Sequence, residues 1–348
     1  MVDIAPAQAL TRPGQADNVG GSLTADNALF LKLFGGEVLT AFEQETPLHS
    51  RFRTRRISGG KSATFPNLGR ASATYHQIGD NIITDEDAGA ANYLKSIAVN
   101  ERVIHIDRTL IAPTMISSYE ELINHWDVRG PVATELGRAL RTQMDKHVYR
   151  TLVGAARTAT NITGLPGGTS GGGSFTNANF RVIGGVAALI TAAFAAAQKF
   201  DENSIPKEGR MFLCTPEQYY SLAQQKDLVD RDYSDGNGSY AKATVLKIAG
   251  FEIVPTIMGA SSDESAINPF TDPGVANDLF GANTGYGGNF ATHAGMFVQQ
   301  QAIGTVMLRD LMVESEYKIE YQATLLLAKY MAGHGVLRPE CTIELKTA

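Results

Sequence analysis

Pro131-Val-Ala-Thr-Glu-Leu-Gly-Arg-Ala-Leu-Arg-Thr-Gln-Met-Asp-Lys-His-Val-Tyr-Arg-Thr-Leu-Val-Gly-Ala-Ala156 is the stretch around which the chain organises itself. Leu136, Leu140, Met144, His147, Val148 and Leu152 recur at helical spacing and fall on one stripe. Proline is tolerated only in the first turn of a helix, so the helix starts at about Pro131. At 1.5 Å per residue it is ~39 Å long. A shorter helix fits Ser118 to Trp126, with Tyr119, Leu122, Ile123 and Trp126 on one side, and Asp127 to Pro131 separates the two.

Working toward the N-terminus, Val103-Ile-His-Ile-Asp107 reads as a short buried strand. From Arg51 to about Val99 the pattern is strand-like, with turn residues and few large apolar side chains. Arg51, Arg53 and Arg55 alternate with Phe52 and Thr54, which places three positive charges about 6.6 Å apart on one face of an extended strand. A segment with so little apolar content has no core of its own. It is disordered or it lies on another body. Residues 1–25 read as a flexible arm. Asp26 or Asn27 then caps a helix from Ala28 to Phe42, weakened at Gly35-Gly36 by about 1 kcal/mol per glycine. Such a helix must dock to be stable.

Working toward the C-terminus, Gly167 to Ser174 is a glycine-rich loop. Val182 to Gln198 is an uncharged, alanine-rich run, too short and too weakly apolar to span a membrane, and reads as a buried helix. Met211-Phe-Leu-Cys214 is a strand, Thr215-Pro216 opens a helix, and Phe251-Glu-Ile-Val-Pro255 is a second strand. Residues 259–292 are loop-like. Strands return at Val306 to Val313, Thr324 to Tyr330 and Thr342 to Leu345. The scheme is a first body, an excursion that builds a second body, and a return to the first.

Composition narrows the function. Of 348 residues 43% are hydrophobic, which is globular. The formal charge of −6 lacks the basic surplus of a dedicated nucleic-acid binder. Two cysteines, Cys214 and Cys341, read as buried free thiols. The first residues lack the basic start and apolar core of a signal peptide.

Several motifs tempt and fail. Gly59-Gly-Lys-Ser62 resembles the end of a phosphate loop, but Arg55 stands where its first glycine belongs, and Pro66 bars a helix from starting there. Gly168-Thr-Ser170-Gly-Gly172 matches a nucleophile elbow without the flanking strand and helix. The histidines at 49, 76, 105, 125, 147, 293 and 334 show no metal-ligand spacing, and Asp230, Asp232 and Asp235 lack that of a calcium loop. No catalytic residue, cofactor or metal is expected.

Four dense blocks complete the reading: Ala28-Leu-Phe-Leu-Lys-Leu-Phe-Gly-Gly-Glu-Val-Leu-Thr-Ala-Phe42; Arg56-Ile-Ser-Gly-Gly-Lys-Ser-Ala-Thr-Phe-Pro-Asn-Leu-Gly-Arg70; Gly304-Thr-Val-Met-Leu-Arg-Asp-Leu311; and Ala328-Lys-Tyr-Met-Ala-Gly-His-Gly-Val-Leu-Arg-Pro-Glu340. In this order they resemble the major capsid proteins of short-tailed phages of the T-seven group. The resemblance covers roughly residues 26–345 and is poor over 160–180 and 255–295. It implies an α+β fold of the Hong Kong 97 type. The parts would be an N-terminal arm (1–50), an extended loop reaching over a neighbour (51–102), a peripheral domain on a long spine helix (103–160 and 305–348) and an inserted axial domain (161–304). It further implies hexamers and pentamers of an icosahedral shell around double-stranded DNA, a separate scaffolding protein, a portal protein, assembly in the host cytoplasm and no membrane partner. A cargo-enclosing shell of the encapsulin kind is one alternative, and a hydrolase in the second body is another. For subunit contacts, Arg51, Arg53 and Arg55 are expected to face Glu314, Glu316 and Glu320, within one subunit or between two.

Overall fold

Fifteen strands and four helices are placed by the structure, a computed structural model that describes residues 10–11, 48–76, 78–79, 82, 97–123, 129–160, 165–182, 185–225, 238–239, 244–245, 247–256, 286 and 289–348. The expected helix from Ala28 to Phe42, most of the 259–292 loop, and Asp230, Asp232 and Asp235 lie outside these residues. The strands are β1 (Leu10–Thr11), β2 (Arg53–Arg56), β3 (Ser62–Leu68), β4 (Val99–His105), β5 (Leu110–Ser117), β6 (Thr169–Ser170), β7 (Arg210–Cys214), β8 (Gly238–Ser239), β9 (Thr244–Val245), β10 (Lys247–Ile248), β11 (Phe251–Pro255), β12 (His293–Gln299), β13 (Ile303–Lys318), β14 (Ala323–Val336) and β15 (Thr342–Lys346). The helices are α1 (Ser118–Ile123), α2 (Arg129–Arg157), α3 (Val186–Glu202) and α4 (Pro216–Ala223).

Helix α2 is the joint of the molecule. Its 29 residues run ~44 Å, and its apolar stripe serves two bodies in turn. Leu136, Leu140 and Met144 pack on Ala328, Tyr330 and Ala332 of β14. One to two turns later Val148, Leu152 and Val153 enter the main core with α3, β7, β11 and β12. The first body is a five-stranded sheet in the order β1-β5-β14-β13-β2, and the second a six-stranded sheet in the order β10-β11-β7-β12-β15-β6. Strands β8 and β9 form a separate pair.

The alanine-rich run forms α3, with Leu189, Ala192, Ala193, Ala196 and Phe200 buried. Helix α4 opens with a full capping box: Gln218 N–H donates to the Thr215 hydroxyl at 3.3 Å, and the Gln218 side-chain oxygen accepts from Thr215 N–H at 2.9 Å. The same buried glutamine donates to the carbonyls of Phe180 and Ala294, both at 2.8 Å, and ties α4 to β12.

Several features depart from the sequence reading; within the expected flexible arm, Leu10–Thr11 pair in parallel with Met115 and Ile116 of β5. No element was expected over 293–304, yet β12 is buried from end to end at the centre of the second sheet. A strand covered on both faces is a continuous apolar run without alternation, so its signal is weak. The expected peripheral span 305–348 includes the last strand, β15. That strand pairs with β12 and β6 in the second sheet. Finally, β14 runs on past Tyr330 through Gly333-His334-Gly335. The glycines let another strand approach: a Cβ on Gly333 would lie 1.9 Å from the His105 carbonyl, and one on Gly335 2.7 Å from Ile104.

That approaching strand is β4, which joins the end of the expected coreless segment to the expected buried strand at Val103–Asp107. Strands β3 and β4 form an antiparallel ribbon from Ser62↔His105 to Leu68↔Val99. Its root rests on the first sheet through Ala63, Phe65, Ile104 and Ile106 against Val306 and Leu337.

Candidate functional site

The contact residues foreseen from sequence are separated by the fold. Leu48 and Phe52 are buried, and between them His49 binds Asp145 through both its backbone N–H (3.0 Å) and its ring Nδ1 (3.3 Å). These anchors hold residues 49–51 in a 3-10 turn, so the strand begins only at Arg53. Arg51 is therefore not in the row; it reaches Glu252 at 2.8 Å. Arg53 and Arg55 both lie over the Phe65 ring, at 5.8 and 5.9 Å, and have no carboxylate partner among the described residues. Arg55 also donates to the Thr64 carbonyl at 2.8 Å. Beside them, Arg56 pairs with Asp310 at 2.9 Å.

At the other end of β13, Glu314 pairs with Lys329 at 2.6 Å and Glu316 with Lys318 at 2.7 Å, while Glu320 sits in the turn before β14. Strand β2 pairs in parallel with Gly304 to Met307 only. Roughly ten strand residues, about 33 Å, separate it from Glu316. The arginines and glutamates do not meet within one subunit.

Apolar side chains face water on the β3–β4 ribbon and at the far end of the first sheet, among other places. The outer face of the β3–β4 ribbon carries the register pairs Thr64↔Val103, Pro66↔Glu101 and Leu68↔Val99. Leu68 is 62% and Val99 67% exposed. The far end of the first sheet carries Tyr119, Leu122, Tyr317, Ile319 and Tyr321, all exposed.

Inside the molecule two polar joints hold the bodies together. Sequence reasoning missed the first. Glu344 on β15, fully buried, accepts two hydrogen bonds from Arg157 at the end of α2 (2.9 and 2.5 Å), one from Ser170 (2.6 Å) and one from His293 Nδ1 (3.1 Å). Tyr149 donates to His293 Nε2 at 2.7 Å. Burial pushes the Glu344 carboxyl up, but the bonds from Arg157, His293 and Ser170 outweigh it and hold the group at about 2. Burial holds His293 low, with Glu344 opposing. In the second joint the Tyr286 ring stacks on His147 at 4.3 Å. Its hydroxyl donates to Asp107 (2.5 Å) and accepts from His334 N–H (3.2 Å). His334 Nδ1 lies 2.9 Å from the Thr305 hydroxyl.

None of this is catalytic geometry. Ser170 bonds Glu344 and has no contact to a histidine, so the carboxylate occupies the place where a hydrolase needs a base. Gly59 to Ser62 is a turn that leads into β3, not into a helix. Among the described residues no three histidine, cysteine or acidic side chains group as a metal site, and no helix is long and apolar enough to cross a membrane. Cys214 and Cys341 are free and buried, and burial pushes both thiols up to about 12. Both are expected to resist maleimide at pH 7.5 and to react together on denaturation; labelling of the native protein within minutes would contradict that packing.

Among the described residues, then, two bodies are held together by polar joints, and apolar side chains face water at the ribbon and at the far end of the first sheet. The profile of the Gp10A-like major capsid protein family matches residues 64–346. The chain is 34% identical over 335 residues to the major capsid protein of Escherichia phage T7, covering 90% of each. It is 33% identical over 343 residues to that of Enterobacteria phage T3, covering 92% of each. The capsid structure of cyanophage P-SCSP1u superposes with a TM-score of 0.75 at 34% identity, covering 99% of both chains. The mature capsid of bacteriophage PhiM1 gives 0.68 at 16% identity, again over 99% of both. The chain therefore belongs to the major capsid protein family of tailed phages, has the Hong Kong 97-type fold, and is a virion component that forms the icosahedral shell. Neither the cargo-shell nor the hydrolase alternative is favoured by these relatives.

Proposed function

We propose that this chain builds hexamers and pentamers by a head-to-tail contact in which the ribbon of one subunit lies on the next. The observation that carries the reading is the ribbon itself. A two-stranded ribbon is marginal in water; this one rests on its own subunit on one face, through Ala63, Phe65, Ile104 and the bond from Asn67 to the Leu337 carbonyl, while Leu68, Val99 and Val103 face outward. Contacts repeated head to tail close into rings. The parts are the arm at 1–50, the extended loop at 51–102, the peripheral domain on α2, and the axial domain centred on the second sheet.

The resemblance to capsid proteins of the T-seven group supports a separate scaffolding protein in the host cytoplasm. A closed shell filled with DNA needs an entry vertex of different construction, which supports a portal protein. The net charge of −6 supports double-stranded DNA lying against the wall without sequence-specific contact.

Arg53 and Arg55 pair with a neighbour's carboxylates in this reading, Glu316 and Glu320 among them. When the chain is co-expressed with its scaffolding protein, Arg53→Glu is expected to reduce sedimenting shells several-fold, assembly of the unaltered chain to weaken at high salt, and adding Glu316→Arg to restore part of the yield. Normal shell yield for Arg53→Glu at both low and high salt would contradict the pairing.

A further inference from the structure

We propose that the cleft between helix α2, residues 49–56 and the β13–β14 pair binds a small amphipathic carboxylate, its acid head at Tyr330 and its hydrocarbon body on Leu140, Met144 and Met307. The inference does not depend on the assembly reading above.

The cleft has a volume of about 470 Å³, within the range of small-molecule sites. Helix α2 forms one wall, residues 49–56 the second, and β13 with β14 the third. The floor is apolar. Leu140 and Met144 are buried against β14, with Met307 packed beside them.

One polar group in that floor is unsatisfied. Tyr330 is 6% exposed, yet its hydroxyl has no hydrogen-bond partner among the described residues. A buried tyrosine ordinarily places its hydroxyl on an acceptor. Tyr149 and Tyr286, likewise buried, do so on His293 and Asp107. Burial raises the Tyr330 group above its ordinary value, with Asp107 and Asp145 adding to the effect. It therefore stays a hydrogen-bond donor at any ordinary pH, and an acceptor brought by a ligand satisfies it. Tyr330 also borders a cavity of about 40 Å³ beside Asp107 and His147, which has room for water but not for a ligand.

The rim selects the charge. Arg56 and Arg141 stand there with Asp310 as the carboxylate among them. Arg56 and Asp310 pair at 2.9 Å, but their side chains are 73% and 48% exposed, and a surface pair of this kind opens readily. His49 closes the remaining edge and is held by Asp145. Two guanidiniums against one carboxylate leave a positive surplus, which favours an anionic head that accepts charge-assisted hydrogen bonds. An acceptor for Tyr330, a negative charge for the rim and hydrocarbon for the floor together describe a medium-chain or aryl carboxylate. Bound there, it touches the start of the 51–102 segment, α2 and the first sheet at once, and fastens the three to one another.

Decanoate is the probe, with decanol as its uncharged counterpart, and calorimetric titration of the purified full chain reads both. Saturable binding of decanoate at one per subunit is expected, with a raised thermal midpoint. Tyr330→Phe keeps the ring in the floor and is expected to weaken decanoate about tenfold. Arg141→Gln is expected to weaken decanoate by a similar factor and to leave decanol unchanged. Arg141 is exposed, so its result stands even where Tyr330→Phe disturbs the floor. Absence of saturable decanoate binding to the wild-type chain would overturn the site. Binding that both variants leave unchanged would overturn it too, since that is partitioning onto exposed apolar surface only. Equal loss of decanoate and decanol in Arg141→Gln would overturn the selection for an acid.

Discussion

Replacing Arg157 by methionine is expected to destabilise the subunit by about 3–5 kcal/mol, a large part of the stability of an ordinary domain. The guanidinium gives two of the four hydrogen bonds that keep Glu344 charged in a fully buried place, and it also bonds the Asn289 carbonyl at 2.6 Å and lies over the Phe290 ring. Removing it leaves the carboxylate with hydrogen bonds from Ser170 and His293 and the Lys346 ammonium 3.9 Å away. Because Arg157 ends α2 and Glu344 lies on β15, the loss falls on the joint between the long helix and the second sheet. Pairing Arg157→Met with Glu344→Gln should recover most of the loss, since a neutral pair has no buried charge to compensate. Thermal midpoints at a fixed scan rate check both. A single variant as stable as the wild type would show that Glu344 is solvated in the assembled protein.

Acid is expected to loosen the molecule well above the pH at which carboxylates titrate. Burial holds His147 well below its ordinary value, with His334, Arg150 and Lys146 adding to the effect. Burial, with His49 adding and Asp145 opposing, holds His334 at about 3. The other groups facing this pair are Tyr286, Asp107, Gln143 and Thr305. Each histidine has a lower value folded than unfolded, so the stability it contributes is complete above pH 6.5. It falls as the pH drops toward the folded value, because the unfolded chain then binds protons the folded one refuses. The slope is about 1.4 kcal/mol per pH unit for each histidine kept neutral. Glu344 acts in the same direction at lower pH: its contribution is complete above about 4.5 and is lost as pH falls toward 2. Glu340, raised by burial, opposes the trend weakly. The thermal midpoint should therefore decline steadily from pH 6.5 to pH 4.5, and His334→Gln should flatten that decline. A midpoint constant over this range would mean that the histidines are solvated or already charged.

Periodic and compositional features were legible in the sequence. Helix α2 declared itself through an apolar stripe long enough to average out local propensity. Strand β3 lay in the stretch read as strand-like, and β4 reaches into the strand read at Val103–Asp107; their pairing was not read. The features that escaped depend on tertiary neighbours. Tyr149, Arg157, Ser170, His293 and Glu344 are scattered over nearly 200 residues, and each alone is unremarkable. The one local hint was a carboxylate in the otherwise apolar Cys341-Thr-Ile-Glu-Leu345. Alternation correctly put Arg53 and Arg55 in an extended strand but included Arg51, because the buried anchors Leu48 and Phe52 that hold it in a turn are indistinguishable from ordinary strand residues. The Gly333-His334-Gly335 block could be recognised as a pattern; its cause, the crossing of β4 over β14, needed the fold.

The central claim, that each subunit is completed by its neighbour through the β3–β4 ribbon, is tested most directly by electron cryomicroscopy of shells assembled from this chain and its scaffolding protein. The expected map shows closed icosahedral shells with Leu68, Val99 and Val103 of every ribbon covered by the adjacent subunit. Shells in which these side chains face solvent in every subunit, or a protein that remains monomeric under the same conditions, would contradict it.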